Sequence, residues 1–520
     1  MNAVLSCGEL SELMASDGLF AVFDVRERGE FNQCQISGAT SLRRGQIEFR
    51  LAQLVPNRNI PIVLYDEGDA RAPLGAATLL RLGYQQVAVL AGGLVAWQGE
   101  GRPTVSGVNV PSKAFGERVH HDRNIPELTA EELKTLKDVS SELVILDVRT
   151  PEEYARFCIP GGNNVPGGDL IHWAAELKQR SNATVVVNCA GRTRSIIGTA
   201  VLRRFGLTNV RALKNGTMGW VLAGLELERN PARKPLPAPA GSRIQAVALA
   251  RQIAAEERLS WISAPEVASA NLVDPLTYLI DVRSEAEYES GHVPRSISVP
   301  GGQAVQRADD FVAVRNARII FVSDQSARAV MAAYWYRQMG FPNVFVLQDG
   351  LEGWVQGGGK LESGMRLIEP LGLAATEQSV RAIDPESLNQ RMRKASAFLL
   401  DVGTSLDFET AHVPEARWIS RGWLDVKLPE LFPEHGQAIV LTCPDGQNSA
   451  FAAQTLIDLG YTNVAVLTGG VAAWSAAGYA TESGLAACLT EPNDVVLSPS
   501  IRGNKEDMQR YLDWETNLPH

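Results

Sequence analysis

The stretch Val185-Val186-Val187-Asn188-Cys189-Ala190-Gly191-Arg192-Thr193-Arg194-Ser195 decides how the chain is read. A β-branched run stops at a cysteine and a short Gly/Arg/Thr turn follows. Ile196-Ile197-Gly198-Thr199-Ala200-Val201-Leu202 then opens an amphipathic run. That is the pattern of a buried strand, a tight loop and a helix. Such a loop aims several backbone N–H groups at one point, and the helix N-terminus adds partial positive charge there. Arg192 and Arg194 bring two full charges, so the pattern predicts a thiolate, and hence a nucleophile, at Cys189. A cysteine ending a buried strand is more often a small core hydrophobe. Two arginines within five residues of it are not a core environment, and the functional reading is preferred.

The same frame recurs. Phe23-Asp24-Val25-Arg26, Leu146-Asp147-Val148-Arg149, Ile280-Asp281-Val282-Arg283 and Leu400-Asp401-Val402-Gly403 each end an apolar, strand-like run. A second mark follows each: Gly92-Gly93-x-x-x-Trp97, Asn215-Gly216-x-x-x-Trp220, Asp349-Gly350-x-x-x-Trp354 and Gly469-Gly470-x-x-x-Trp474. From Asp to Trp is 73 residues in all four, and Gly83, Gly206, Gly340 and Gly460 each fall 59 residues after their Asp. Four equal spacings make the 520-residue chain four homologous units.

Each unit alternates strand and helix signals. In the second, strands are expected at 143–147, 184–188 and 210–213, and helices at 151–155, 170–180 and 195–205. This alternation predicts an α/β fold: four tandem domains, each a mainly parallel sheet with helices on both faces. The reactive crevice of such a sheet lies beyond the carboxyl ends of its strands, where Cys189 falls. The expected boundaries are 1–104, 122–230, 258–362 and 378–483, with a tail at 484–520. Residues 103–125 read as a linker, and its His120-His121 as solvated rather than metal-binding. Residues 231–239 are proline-rich and stiff, and a helix at 242–258 leads into the third domain. A further linker spans 363–378. The tail ends in a helix at 505–514 that docks through Tyr511 and Trp514.

Composition excludes several classes. A net charge of −10 argues against a general nucleic-acid or anionic-membrane binder. No apolar run reaches bilayer length, and the first residues lack a signal pattern. Six scattered cysteines (7, 34, 158, 189, 443, 488) make neither a disulfide framework nor a C-x-x-C zinc pair. The expectation is a reducing cytoplasm and no metal.

The ordered set of marks resembles the rhodanese sulfurtransferase family. Besides the Asp-Val-Arg and Gly-Gly-x-x-x-Trp marks, it includes Gly291-His292-Val293-Pro294, the similar Ala411-His412-Val413-Pro414, and the Cys-x-x-x-x-Arg loop from Cys189 to Arg194. The resemblance covers all four repeats. It implies a ping-pong reaction without a cofactor. The loop cysteine takes a sulfane sulfur from an anionic small-molecule donor such as thiosulfate, and a thiol or cyanide removes it from the resulting persulfide. Loop amides and arginines suit an anionic donor and an anionic persulfide. On this reading Cys189 is catalytic, and Ala190, Gly191, Arg192, Thr193, Arg194 and Ser195 bind substrate. Asp147 and Arg149 support them by pairing with one another.

The loop position, 42 residues after each Asp, holds Asp66, Cys189, Ser323 and Cys443; five residues later stand Arg71, Arg194, Arg328 and Asn448. Domains one and three therefore have no nucleophile that could carry sulfur and read as structural or partner-binding. In domain four, Pro444 removes an amide donor, Asp445 adds negative charge and Asn448 replaces the arginine. Each change raises the Cys443 thiol pKa, which makes Cys443 a second, differently tuned site at most. Cys158, at the position of His292 and His412, reads as a packed thiol; His172 reads as surface and Trp173 as core.

Two other functions compete. A phosphatase or arsenate reductase uses a Cys-x5-Arg loop, but only four residues separate Cys189 from Arg194, and the tighter loop suits one sulfur atom better than a phosphate. A non-catalytic sulfur-binding scaffold fits domains one and three, but not the intact Cys189 loop. The four domains are expected to pack as two pairs, with domain two against a non-catalytic neighbour. No nucleic-acid or membrane partner is implied. The sequence leaves open the physiological donor and acceptor, the activity of Cys443 and the oligomeric state.

Overall fold

Thr184–Asn188 forms a strand because its threonine and three valines suit a pleated surface covered on both sides, and Val185 through Asn188 are buried. It is the middle strand of five. In the computed structural model, which describes residues 3–139, 142–180, 182–270, 272–273, 276–394 and 396–519, the sheet order is Asn163–Asn164, Leu143–Asp147, Thr184–Asn188, Val210–Leu213 and Glu127–Leu128. Every pairing in it is parallel. The register sets Asn188 beside Asp147, so the first mark and the cysteine loop leave the sheet at the same edge.

The other three units repeat this order, centred on Ile62–Tyr65, Arg318–Val322 and Ile439–Thr442. Each is an α/β domain with a mainly parallel sheet flanked by helices. The second mark has a steric reason. Gly216 has φ +54°, and a Cβ there would collide with the Cys189 carbonyl; Gly93, Gly350 and Gly470 stand the same way against Asp66, Ser323 and Cys443. Only glycine permits both the conformation and the approach. The tryptophan four residues later anchors the turn, Trp220 Nε1 donating to the Glu226 carbonyl at 2.9 Å, and Trp97, Trp354 and Trp474 do likewise in their units.

The domains fall into two compact units, as the pairing expectation holds. One comprises Met1–Val108, Ala313–Arg315 and Leu367–Val496 and joins domains one and four. There Ser420 Oγ donates to Glu27 Oε1 at 2.6 Å, and Arg421 pairs with Glu48. The other comprises Asn109–Val312, Asn316–Arg366 and Leu497–His520 and joins domains two and three. There Arg328 Nη1 reaches Asp169 Oδ1 at 3.0 Å.

Residues 103–125 are more than a linker. Thr104–Val105 pairs with Gln35–Ile36, and Val110–Asp122 is a helix whose Val110, Phe115 and Val119 are buried. Phe115 and Val119, four apart, share one face, while Val110 lies nearly opposite, so the helix is covered on several sides and not along a single apolar stripe. His172 is buried, not on the surface, while Trp173 is only half-buried. The helix Leu170–Gln179 turns His172 inward with Ile171 and Ala174. The tail forms the helix Lys505–Thr516, capped by Asn504 Oδ1, and docks Met508 and Leu512 on Met218.

Candidate active site

Cys189 follows the central strand, and the helix Thr193–Arg204 begins four residues later. The loop between them is pinned from the second mark: Thr217 N donates to the Cys189 carbonyl at 2.9 Å, and Met218 N to that of Ala190 at 3.0 Å. Cys189 is 2% exposed. Among the described residues its Sγ makes one hydrogen bond, to Ser195 Oγ at 3.6 Å; Ser195 Oγ is itself fixed by the Arg192 carbonyl at 2.7 Å.

The same loop in the sister domains displays what it is built to hold. In domain one the Asp66 carboxylate fills it, Oδ1 accepting from Gly68 N at 2.8 Å and Oδ2 from Ala72 N at 2.7 Å. Burial pushes the Asp66 carboxyl up, and the two amides pull it back. In domain three Ser323 Oγ accepts from Ala329 N at 3.3 Å. In domain four Cys443 Sγ accepts from Gly446 N at 3.2 Å and Ser449 N at 3.4 Å. The amide six residues beyond the loop position thus donates to it in three of the domains; Ser195 occupies that place in domain two. Despite two amides, the Cys443 thiol is pushed up to about 11, chiefly by burial, with Asp445 and Asp401 adding to it. Asp445 Oδ1 lies 3.6 Å from the sulfur.

The two loop arginines, read from the sequence as donor ligands, are each committed to carboxylates. Arg194 makes a two-pronged pair with Glu153 at 2.5 and 2.8 Å. Burial alone would raise Glu153, but Arg194 outweighs it and holds the carboxyl at about 2. Arg192 Nε and Nη2 reach the Glu117 carboxylate at 2.7 and 2.8 Å, and its Nη1 lies 3.2 Å from Glu127. Arg192 also lines an open cleft of about 520 Å³ with Glu117, His120, His121, Asn124, Ile125 and Thr516. Asp147 and Arg149 pair at 2.9 and 2.7 Å beneath the loop, and Asn188 Nδ2 adds a contact to Asp147 at 3.2 Å. Cys158 is fully buried, with burial pushing its thiol up.

Residues from outside the repeated domain complete the surroundings. Glu515 Oε1 of the tail helix accepts from Thr193 Oγ1 at 2.7 Å. A Cβ on Gly191 would sit 3.2 Å from Glu515 Oε2 and 3.5 Å from Tyr511 Cε1. From the helix Val110–Asp122, Lys113 Nζ donates to Tyr511 Oη at 2.5 Å, and Gly116 approaches so closely that a Cβ would lie 2.8 Å from Thr193 Cγ2. Sequence reasoning missed Lys113, Glu117 and Glu515. Glu515 adjoins Trp514 of the tail helix expected to dock, and no spacing within 103–125 singles out Lys113 or Glu117. Among the described residues, no group of three or more His, Cys, Asp and Glu could hold a metal ion, and no helix is long and apolar enough to cross a membrane.

Comparisons with known proteins agree with this geometry. The rhodanese-like domain family matches residues 6–100, 129–223, 264–357 and 384–477. A crystal structure named thiosulfate sulfurtransferase, from Pseudomonas aeruginosa, is 38% identical, covers 99% of this chain and 97% of its own, and superposes with a TM-score of 0.92. Smaller relatives match one domain's length. A protein of Allochromatium vinosum named sulfurtransferase is 31% identical over 97 residues, 19% of this chain and 89% of its own. The uncharacterized protein YibN of Escherichia coli is 29% identical over 105 residues, 20% of this chain and 73% of its own.

Proposed function

Since the chain belongs to the rhodanese-like domain family, we propose that it is a sulfurtransferase with its competent site at Cys189. The observation that carries this reading is the filled loop of domain one. A cradle whose amides hold the Asp66 carboxylate at 2.7–2.8 Å is built for an anion, and Cys189 stands at the Asp66 position in an equivalent loop. The name of the Pseudomonas aeruginosa structure supports thiosulfate as the donor class.

In the first half-reaction the Cys189 sulfur, as thiolate, attacks the outer sulfur of thiosulfate. An Sγ–S bond forms, the S–S bond of the donor breaks, and the electron pair leaves with sulfite. In the second, a thiol or cyanide takes the outer sulfur and the pair returns to Cys189. The segment Ala190–Ser195 presents the cradle. Arg192 and Arg194 fix its shape, because their guanidinium groups are held by Glu117 and Glu153. Asp147 and Arg149 brace the strand ends from below. Domains one and three, with Asp66 and Ser323 at the loop position, are structural partners, and Cys443 is a muted second site. Six free cysteines suit a reducing compartment, consistent with a cytoplasmic enzyme acting on small molecules.

The test is incubation with thiosulfate followed by peptide mass spectrometry. One added sulfur on the Cys189 peptide, discharged by cyanide or a thiol, is expected. An unmodified Cys189 with every sulfane donor offered refutes the reading.

A further inference from the structure

The terminal nitrogens of Arg194 and the guanidinium of Arg192 are bound to carboxylates, which leaves room for a further cation to receive an anionic donor. Lys113 stands out. Its side chain belongs to no repeated domain, lies on the helix Val110–Asp122, and is 5% exposed. Its nearest polar partner is neutral, the Tyr511 hydroxyl at 2.5 Å, and its ammonium also lies 5.0 Å from the Tyr511 ring centre and 5.9 Å from that of Trp514. Among the described residues no carboxylate lies within ion-pair distance of it. A buried ammonium without a carboxylate is costly unless another anion compensates it. The Tyr511 ring reaches over Gly191, the second residue of the loop after Cys189.

We propose that Lys113, held by Tyr511, is the cation that receives the anionic sulfane donor and balances the sulfur anion at Cys189. This rests on the sulfur-transfer reading of that cysteine. The electrostatics agree. Burial pulls the Lys113 ammonium down and Arg194 adds to that, while Glu515 and an anionic Cys189 push it back up. Burial pushes Tyr511 well above the ordinary tyrosine range, with Glu515 and Cys189 contributing, so it remains a neutral hydroxyl that can accept from Lys113. Three segments distant in sequence therefore meet at the Cys189 loop: the loop itself, the connecting helix and the tail helix. Thiosulfate, a dianion, gains most from the ammonium, and an uncharged donor such as a dialkyl trisulfide gains least. With thiosulfate the bond changes are those of the first half-reaction above. With the trisulfide, Cys189 attacks the central sulfur, one S–S bond breaks, an alkyl thiolate leaves with the electron pair and a mixed trisulfide remains on Cys189. Lys113 forms no bond and transfers no proton in either.

The experiment compares full-length wild type with K113M and K113R. Iodoacetamide is uncharged, so its labelling rate at Cys189, read by peptide mass at pH 7, reports the sulfur anion and not ligand steering. K113M should slow labelling about ten-fold, and K113R should stay within about two-fold of wild type, a ten-fold change being about 1.4 kcal/mol. In turnover, K113M should lose kcat/KM for thiosulfate at least ten-fold more than for the trisulfide. Labelling unchanged in K113M, or equal losses with both donors, overturns the proposal. If K113M melts early, K113Q is the second neutral variant and is judged by the same readings. A wild type that accepts sulfur from neither donor refutes the sulfur-transfer reading, while the labelling comparison still decides whether Lys113 acts on Cys189.

Discussion

Arg194 and Glu153 form a two-pronged ion pair, 2.5 and 2.8 Å, which ties the first turn of the active-site helix to the short helix Pro151–Arg156. The same pair recurs as Arg71 with Glu30 at 2.6 and 2.7 Å and as Arg328 with Glu287 at 2.8 and 2.7 Å. Neither of those domains has a cysteine in its loop. An interaction kept where no sulfur chemistry can occur is one that builds the loop.

A double-mutant cycle should therefore find strong coupling. Arg194→Met should cost domain two about 3 kcal/mol by stranding a part-buried carboxylate, and Arg194→Met with Glu153→Gln should cost less than the sum of the two single changes. The pH dependence has a fixed sign. Glu153 is held at about 2 against an ordinary 4.5, so its contribution is complete above about pH 4.5 and is lost as pH falls toward 2. Urea unfolding from pH 6 to pH 3 checks this; Glu153→Gln should flatten that part of the profile.

Cys189→Ser should abolish persulfide formation, whereas Cys443→Ser should leave most of it. Burial holds the Cys443 thiol at about 11, so only about one molecule in ten thousand carries the thiolate at pH 7. Activity lost with Cys443→Ser and retained with Cys189→Ser would place the site in domain four. Hydrolysis of an aryl phosphate, measured on the same samples, is expected to be absent.

Domain four should regain a reactive sulfur when its loop is restored. Pro444→Ala, Asp445→Gly and Asn448→Arg together return an amide, remove a carboxylate 3.6 Å from the sulfur and supply an arginine. Asp407 stands at the position of Glu153 and can receive that arginine. Iodoacetamide labelling of Cys443 at pH 7.5 should rise at least ten-fold; no change would show that burial alone sets its reactivity.

Asp401 should make domain four less stable as pH rises. Gly403 replaces the arginine that pairs with Asp24, Asp147 and Asp281, so burial pushes the Asp401 carboxyl up to about 7, relieved only in part by Gly403 N at 2.8 Å. The folded state holds this proton more tightly than the unfolded chain, whose value is near 3.8. Stability therefore declines between about pH 4 and pH 7 and levels off above, by up to about 4 kcal/mol at 1.36 kcal/mol per unit. Asn at this position keeps an acceptor for Gly403 N and has no proton to lose. Asp401→Asn should remove the decline in thermal or urea unfolding, and an unchanged profile would refute the assignment.

The repeat arithmetic of Asp, Gly and Trp was enough to define four α/β domains, because each mark answers a local demand within its own domain. The aspartate ends a strand, the glycine must approach the loop carbonyl at positive φ, and the tryptophan closes the turn on a carbonyl six residues on. The strand, loop and helix around Cys189 were legible for the same reason: β-branched residues, then a turn, then an amphipathic run are near neighbours in the chain. What the two arginines do was not legible. A guanidinium close to a cysteine in sequence can face the sulfur or a carboxylate, and Glu117 and Glu153 lie 75 and 41 residues from their partners. The covering of the loop depended still more on tertiary structure. Lys113, Tyr511 and Glu515 reach the Cys189 loop only because a connecting helix and a tail helix pack onto domain two. Periodicity predicts that the tail helix will bury a face, but the surface that receives it is created only when the chain folds.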